Sequence, residues 1–434
     1  MRRNRRRDVV RCIVMTPSRL HLSQLLVIMV TALAVRVAWV CMQPLGIDAR
    51  TLPDQAEYLQ LGRNLLTEKS LYFFDERFHQ NVFAYRTPGY PVFVAINSGN
   101  VLLIRAAQAL LDTTTVLAVY LLARRVLRDR IGDIGAARVG LLSAALVALN
   151  PFLIYFSGLI LSETLFTSLL AWTLVLLTVA GPYALFGSSV LMGCAVLVRP
   201  SALCLTPMLA GVSVLLNTGR GIAYYRWTGL MRAGVASAVV MVMLLPWAYR
   251  NHQVLGKWIW TTTNGGVTLY DGFWPGATGA SDQRFLQTEQ VDEASVRDEV
   301  SRTSYYSAKA RSAIVADPMR ALRLAVVKVA RMWSPVPLSS EYAGVKYWVV
   351  ALAFSLPFDV LVIVGLCRSR MLTLPAKVLL TTGALYFTAI HAASVGSLRY
   401  RVPVEPPMAV IAACALARSS RATLPASDSV PAGS

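Results

Sequence analysis

The feature that most constrains this chain is the recurrence of apolar runs about 20 residues long, most of them edged by arginines. A helix rises about 1.5 Å per residue, so roughly 20 apolar residues cross a hydrocarbon core about 30 Å thick. On that ruler, spans are expected near residues 21–43, 98–123, 138–156, 159–180, 185–199, 201–217, 233–249, 346–367, 373–392 and 402–418. The reading is an all-α polytopic membrane protein, a bundle of about ten transmembrane helices. The fifth and sixth spans are the hardest to separate, because "LVRPSALCL" breaks one long apolar run with Arg199 and Pro200.

Composition agrees. Of 434 residues 55% are hydrophobic and only 15% charged, whereas a soluble domain carries about a quarter charged residues. The net charge of +19 would also suit nucleic acid, but the basic residues lie at the ends of apolar runs. They therefore read as topology signals, with the bilayer and not nucleic acid as partner. Arg2, Arg3, Arg5, Arg6, Arg7, Arg11 and Arg19 precede the first run, and no small-residue cleavage site follows it. Residues 1–20 are thus expected to be a basic cytoplasmic N-terminus before an uncleaved first helix. Arg124, Arg125, Arg128, Arg130 and Arg138, then Arg220, Arg226 and Arg232, then "CRSRMLTLPAK", then Arg418 and Arg421 all fall on that same side with an even number of spans. Residues 419–434 are expected to be a short flexible cytoplasmic tail, and 21–418 one catalytic membrane domain in the inner (cytoplasmic) membrane. Cys12, Cys41, Cys194, Cys204, Cys367 and Cys414 are scattered without CxxC spacing, which favours neither a disulfide framework nor a zinc site.

This topology puts two long polar segments, 44–97 and 250–345, on the outer face, where function is expected. The first opens with "LPDQAEYLQLGRNLLTEKSLYF", a short amphipathic helix with Asp54 at its start. Asp54 could cap that helix, or act as a base at the water boundary. Farther on, "YRTPGYP" reads as a stiff turn: Pro88 and Pro91 fix their φ angles, Gly89 permits the turn, and Thr87 and Tyr90 are pushed toward extended geometry by the prolines after them. It would hold Arg86 at a fixed height, either as a phosphate ligand or as a snorkelling belt residue. Within the apolar runs, Glu163 is a functional candidate or an arginine's partner, while Arg36 and Asp112 lie at similar depth and are expected to pair structurally.

The second segment begins "LLPWAYRNHQVLGKWIWTTTNGGVTLYDGFWPGATG". Arg250, Asn251 and Tyr270 stand among aromatic, amide and hydroxyl groups of the kind that suit sugar rings. Late in the chain, "HAASVGSLRYRVPVEPPM" returns His391, Arg399 and Arg401 to the same face. Arginines away from the cytoplasmic side run against the topological bias, and a phosphate is one reason for them. Acidic and His residues in these loops are too few to suggest a metal site, so no cofactor is expected and metal dependence stays open.

In order along the chain, "PDQAEY", "RTPGYPVF", "SGLILSETLF", "VRP", "PWAYRN", "LYDG" and "LRYRVPVEP" resemble bacterial membrane glycosyltransferases of the dolichyl-phosphate-mannose protein mannosyltransferase type. The lipid A aminoarabinose transferase belongs to the same broad superfamily, the GT-C fold. The likeness runs from about residue 30 to residue 412. It implies transfer of a sugar, hexosyl or pentosyl, from a polyprenyl-phosphate donor to a lipid, glycan or protein acceptor outside the cytoplasmic membrane, with inversion. It also implies Asp54 as the base, Arg86, Arg399 and Arg401 near the donor phosphate, and supporting places for Glu57, Tyr58, Glu163, Arg250, Asn251, Tyr270 and His391. One departure is that Asp54 and Glu57 stand three apart where the protein mannosyltransferase branch often has adjacent acids, which weakens the case for a protein acceptor. The rival reading is a transporter or lipid flippase; the chain lacks the internal repeat expected of one.

Overall fold

A computed structural model of the chain describes residues 19–47, 52–216, 222–289, 296–339, 342 and 344–417. Most of the basic N-terminus, Cys12, Arg220, Arg418 and the 419–434 tail lie outside the described residues. The protein is a mostly helical, multi-pass membrane protein. Four described helices are long and apolar enough to cross a bilayer: Arg19–Met42 (α1), Val101–Ala148 (α4), Ala223–Leu255 within Ile222–Leu255 (α9), and Val345–Arg368 (α14). The other expected spans are helical but shorter. They are Glu163–Leu177 (α6), Pro182–Val198 (α7), Leu205–Val212 (α8), Leu374–Ala392 (α15) and Glu405–Leu416 (α16).

Local chemistry sets the breaks. The expected spans 98–123 and 138–156 are two helices joined directly, and the chain folds back between them, so that Asp112 and the carbonyls of Val147 and Ala148 all reach Arg36. Helix runs through the basic linker, interrupted at Gly132, whose φ of 71° and ψ of 173° suit a residue without Cβ. Arg128 and Arg124 reach Asp133 beside that break, at 3.0 and 3.5 Å. Asn150 then caps a new short helix, Pro151–Ser157 (α5), accepting from the backbone N–H of Phe152 and Leu153. At "VRP", Pro200 cannot donate and holds Arg199 extended (φ −139°, ψ 103°), so α7 ends at Val198 and a 3₁₀ turn, Pro200–Ala202, follows.

The two halves of α4 form the centre of the bundle, packed by α1, α6 and α16. Nearly all of α16 is buried. Between α1 and α4, Arg36 Nε donates to Asp112 Oδ2 at 2.6 Å, with both side chains fully buried. The carbonyls of Ala32, Ala148 and Val147 accept three of its other protons. The pairing expected from depth alone is present.

The polar segments gather at one end of the bundle. The first holds Pro53–Thr67 (α2), an antiparallel hairpin of Phe73–Asp75 (β1) and Gln80–Val82 (β2) with Phe73 opposite Val82, and Gly89–Ile96 (α3). The second holds Gly265–Asp271 (α10), Phe285–Thr288 (α11), Glu299–Ala316 (α12) and Pro318–Met332 (α13). A small core of Val267, Tyr270, Phe285, Tyr306 and Ala310 holds the second segment together. Backbone bonds from Thr263 N to Ala84 O (2.9 Å) and from Gly396 N to Gly279 O (2.8 Å) tie both segments to each other and to the 393–401 connection.

Candidate functional site

Helix α2 begins at Pro53, with Leu52 in the capping position and no side-chain cap. Asp54 is therefore not the cap that its place in the sequence allows; it lies in the first turn with its carboxylate turned to arginines. Because Asp54 and Glu57 are three residues apart, they share one face of α2. Arg86 bridges them: Nη2 donates to Asp54 Oδ1 at 2.6 Å, and Nη2 and Nε donate to Glu57 Oε2 at 2.5 and 2.9 Å. The Tyr58 and Tyr85 rings flank its guanidinium, with centroids 5.3 and 5.5 Å away.

The turn that carries Arg86 differs from the stiff extended loop expected of "YRTPGYP". Pro88 takes helical angles (φ −76°, ψ −17°), and Gly89, Tyr90 and Pro91 form the first turn of α3. First-turn N–H groups have no intrahelical acceptor, so Pro91 costs the helix nothing there. Gly89 has a different role from permitting a turn. A Cβ on it would lie 2.6 Å from the Leu197 carbonyl oxygen and 2.8 Å from Val198 N, so its bare backbone lets α3 dock on the end of α7. Next to it the buried Thr87 hydroxyl donates to Val198 O at 3.3 Å.

The other Asp54 oxygen, Oδ2, lies 2.9 Å from Arg399 Nη1. Arg399 Nε donates to Glu163 Oε1, and Arg199 Nη1 lies 3.3 Å from that same oxygen. At the far end, Arg77 Nη2 donates to Glu57 Oε1 at 2.9 Å and to Asp75 Oδ2 at 2.8 Å. The result is a continuous ladder of alternating sign: Asp75, Arg77, Glu57, Arg86, Asp54, Arg399, Glu163, Arg199. Asp54, Arg86 and Arg399 keep 21%, 17% and 25% side-chain exposure, whereas Glu163 keeps none. Glu163 Oε2 has no hydrogen-bond partner among the described residues. Burial alone would resist ionisation of Asp54, but Arg86 and then Arg399 outweigh it and hold the carboxyl well below the usual range. Burial likewise works against the charge on Arg86 and Arg399, and their carboxylate partners raise both well above the ordinary value.

The other sequence candidates have separate places. Arg401 does not face Asp54: it is buried, 2.9 Å from Glu405 and 3.7 Å from Asp359, and donates to Ser355 Oγ at 2.8 Å. Arg250 ties the first segment down through the carbonyls of Phe83 (2.8 Å) and Leu71 (2.6 Å). Asn251 donates to Ile259 O at 2.9 Å. Tyr270 donates to Glu289 Oε1 at 2.6 Å inside the small core of the second segment. His391 stacks on Tyr400 with centroids 3.7 Å apart, next in sequence to Arg399. Among the described residues no group of His, Cys, Asp and Glu is arranged to hold a metal ion.

Four contributors escape a reading of the sequence. Asp75 and Arg77 sit in a hairpin whose only local signal is "FDER", and Arg199 looks only like an interruption of an apolar run. Glu299, in the second segment, accepts from the backbone N–H of Phe83 (2.8 Å) and Ala84 (3.1 Å) and from Thr263 Oγ1 (2.7 Å). It fixes the bend between β2 and Arg86.

The fold is that of the archaeal oligosaccharyltransferase AglB of Archaeoglobus fulgidus, the GT-C fold. A structure of that protein in complex with an inhibitory peptide and a dolichol-phosphate matches with a TM-score of 0.55 at 14% identity, over 92% of this chain and 50% of that one. A structure tethered by a disulfide to an acceptor peptide containing the NVT sequon matches with a TM-score of 0.54 at 14% identity, over 92% and 49%. The apo form matches with a TM-score of 0.52 at 12% identity, over 91% and 50%. The chain spans about half the length of these structures. No protein-family model and no curated protein matches the sequence.

Proposed function

We propose that this protein transfers a sugar from a polyprenyl-phosphate-linked donor to an acceptor hydroxyl at the outer face of the cytoplasmic membrane, with inversion and with Asp54 as general base. One observation carries the reading: a partly exposed carboxylate lies within hydrogen-bond reach of two partly exposed arginines, Arg86 and Arg399, drawn from distant parts of the chain. The chemistry asks for that combination. The acceptor oxygen forms a bond to the anomeric carbon and gives its proton to Asp54. The bond from that carbon to the phosphate oxygen breaks, and the polyprenyl phosphate leaves with the electron pair. Arginines stabilise the charge that grows on the leaving phosphate, and one carboxylate suffices for a direct displacement. The AglB structures, solved with a dolichol-phosphate and with peptides, support a lipid-linked donor and an acceptor meeting on this fold.

In this reading the spans shorter than a full crossing complete a bundle of about ten, the ladder faces outward, and the polyprenyl tail stays in lipid. The test is transfer of radiolabelled sugar from polyprenyl-phosphate donors by the full chain in nanodiscs. Asp54→Asn is expected to lower the rate by about 10²–10⁴-fold. Unchanged turnover by that variant would remove Asp54 from the role of base.

A further inference from the structure

The ladder poses a problem that its own geometry resolves. Its four arginines are matched by four carboxylates, Asp75, Glu57, Asp54 and Glu163. Within the ladder, as far as the described residues go, a phosphate arriving from a lipid-linked donor therefore meets no spare positive charge. For it to be bound, a carboxylate has to give up its arginines.

The carboxylates differ in what they would lose. Glu57 keeps Arg77 at 2.9 Å if Arg86 turns away. Glu163 keeps Arg199 at 3.3 Å if Arg399 turns away, and its unpartnered Oε2 can take a further donor. Asp75 is bound by Arg77 and touches neither of the two central arginines. Among the described residues Asp54 has only Arg86 on one oxygen and Arg399 on the other. A phosphate that captured those two guanidiniums would strip Asp54 alone. It can compete, since a phosphodiester, like a carboxylate, places its charge on two oxygens that suit the planar donor fork of arginine, and a monoester offers a third.

Resting on the proposed sugar transfer, we propose that the donor phosphate binds by taking Arg86 and Arg399 from Asp54, so that the base is masked in the empty protein and uncovered by the donor. Glu57 with Arg77 and Glu163 with Arg199 are then positioning pairs. They keep the two mobile guanidiniums within reach while Asp54 is released. A carboxylate locked between two arginines is a poor proton acceptor, and one that loses them returns toward its ordinary basicity. Acceptor activation thus requires a loaded donor, and the order of binding is donor first.

The exchange makes a prediction opposite to that of a passive site. With the full chain in nanodiscs of neutral phosphatidylcholine and polyprenyl monophosphate as probe, Asp54→Asn should bind the probe about fivefold or more tightly, because the competing carboxylate is gone. Glu163→Gln should act in the same direction through Arg399. Arg86→Gln and Arg399→Gln should each weaken binding about fivefold or more. If the arginine variants weaken binding but neither acid variant tightens it, the exchange is wrong while the phosphate site stands. If the arginine variants leave binding unchanged, the phosphate reading itself fails. A measurement on the unmutated chain guards against variants that do not fold. Isotope-edited infrared spectra should show an aspartate carboxylate that titrates at higher pH once polyprenyl monophosphate is bound, and identical spectra with and without it would overturn the exchange.

Discussion

Two ionic assemblies in this molecule use the same side chains to opposite ends. Arg36 and Asp112 are sealed between α1 and α4, where the guanidinium donates to Asp112 and to three fixed backbone carbonyls, and Asp112 Oδ1 has no hydrogen-bond partner among the described residues. Around Asp54 the arginines are shared among several acids and the central members are partly open. A fully buried pair anchored on fixed backbone has one arrangement and holds helices together. A shared ladder gives each central arginine more than one carboxylate to hold, which is what a site needs if a ligand is to rearrange it.

The contrast is open to attack from both sides. Removing one half of the sealed pair leaves an uncompensated buried charge, so Asp112→Ala is expected to cost about 3–5 kcal/mol of stability. Thermal unfolding in detergent checks this, and affinity for polyprenyl monophosphate in the surviving folded fraction should stay unchanged. Asp54→Asn should do the reverse, moving phosphate affinity and turnover with a stability change within about 1 kcal/mol, since Arg86 and Arg399 keep Glu57 and Glu163.

A third cation sharpens the comparison because it has no hydrogen-bonded partner among the described residues. Lys328 on α13 is fully buried, with Nζ 3.6 Å from the centroid of the Phe273 ring and no hydrogen bond among the described residues. Burial pushes its pKa down to about 8, while a lysine in the unfolded chain titrates near about 10.4. Between those values the unfolded chain binds the extra proton, so stability should rise as pH goes from 8 to about 10. Lys328→Met should abolish that rise and stabilise the protein at pH 7 by about 1–3 kcal/mol, read as the melting temperature at pH 7 and pH 9.

Smaller effects probe the scaffold of the ladder. Glu299→Gln weakens charge-assisted bonds to the backbone of Phe83 and Ala84 and is expected to cost about 1 kcal/mol, with a matching loss of phosphate affinity as Arg86 loosens. Tyr58→Leu removes the ring beside Arg86 and should reduce that affinity by about 0.5–1 kcal/mol, measured in the same binding assay.

Much of the scaffold is legible in the residue order because helix formation in lipid is a local matter. A run of about 20 apolar residues has to satisfy its own backbone, so the segments appear as helices near the expected places. Depth was enough to match Arg36 with Asp112. Asp54, Arg86 and Arg399 could be picked out as charges out of keeping with their surroundings, but not who would bind whom. Arg401, two residues from Arg399, turns to Glu405 instead, and that choice depends on a 3₁₀ turn that periodicity does not report. Arg199 carried no signal beyond its proline, and Glu299 lies more than 200 residues from the backbone it holds. Contacts across such separations are set by how the bundle closes, which is a property of the whole chain.

The absent side chain at Gly89 has a consequence for anyone wishing to retool this protein. With no side chain on Gly89, backbone meets backbone where α3 abuts the end of α7, and Arg86 and Arg199 leave the chain three residues before that joint and one residue after it. The spacing between the middle of the ladder and its far end is thus gauged by main chain alone, like a shim of zero thickness. Any residue other than glycine would act as a wedge. Widening the site for a bulkier headgroup therefore starts here, at the position that contributes no chemistry of its own.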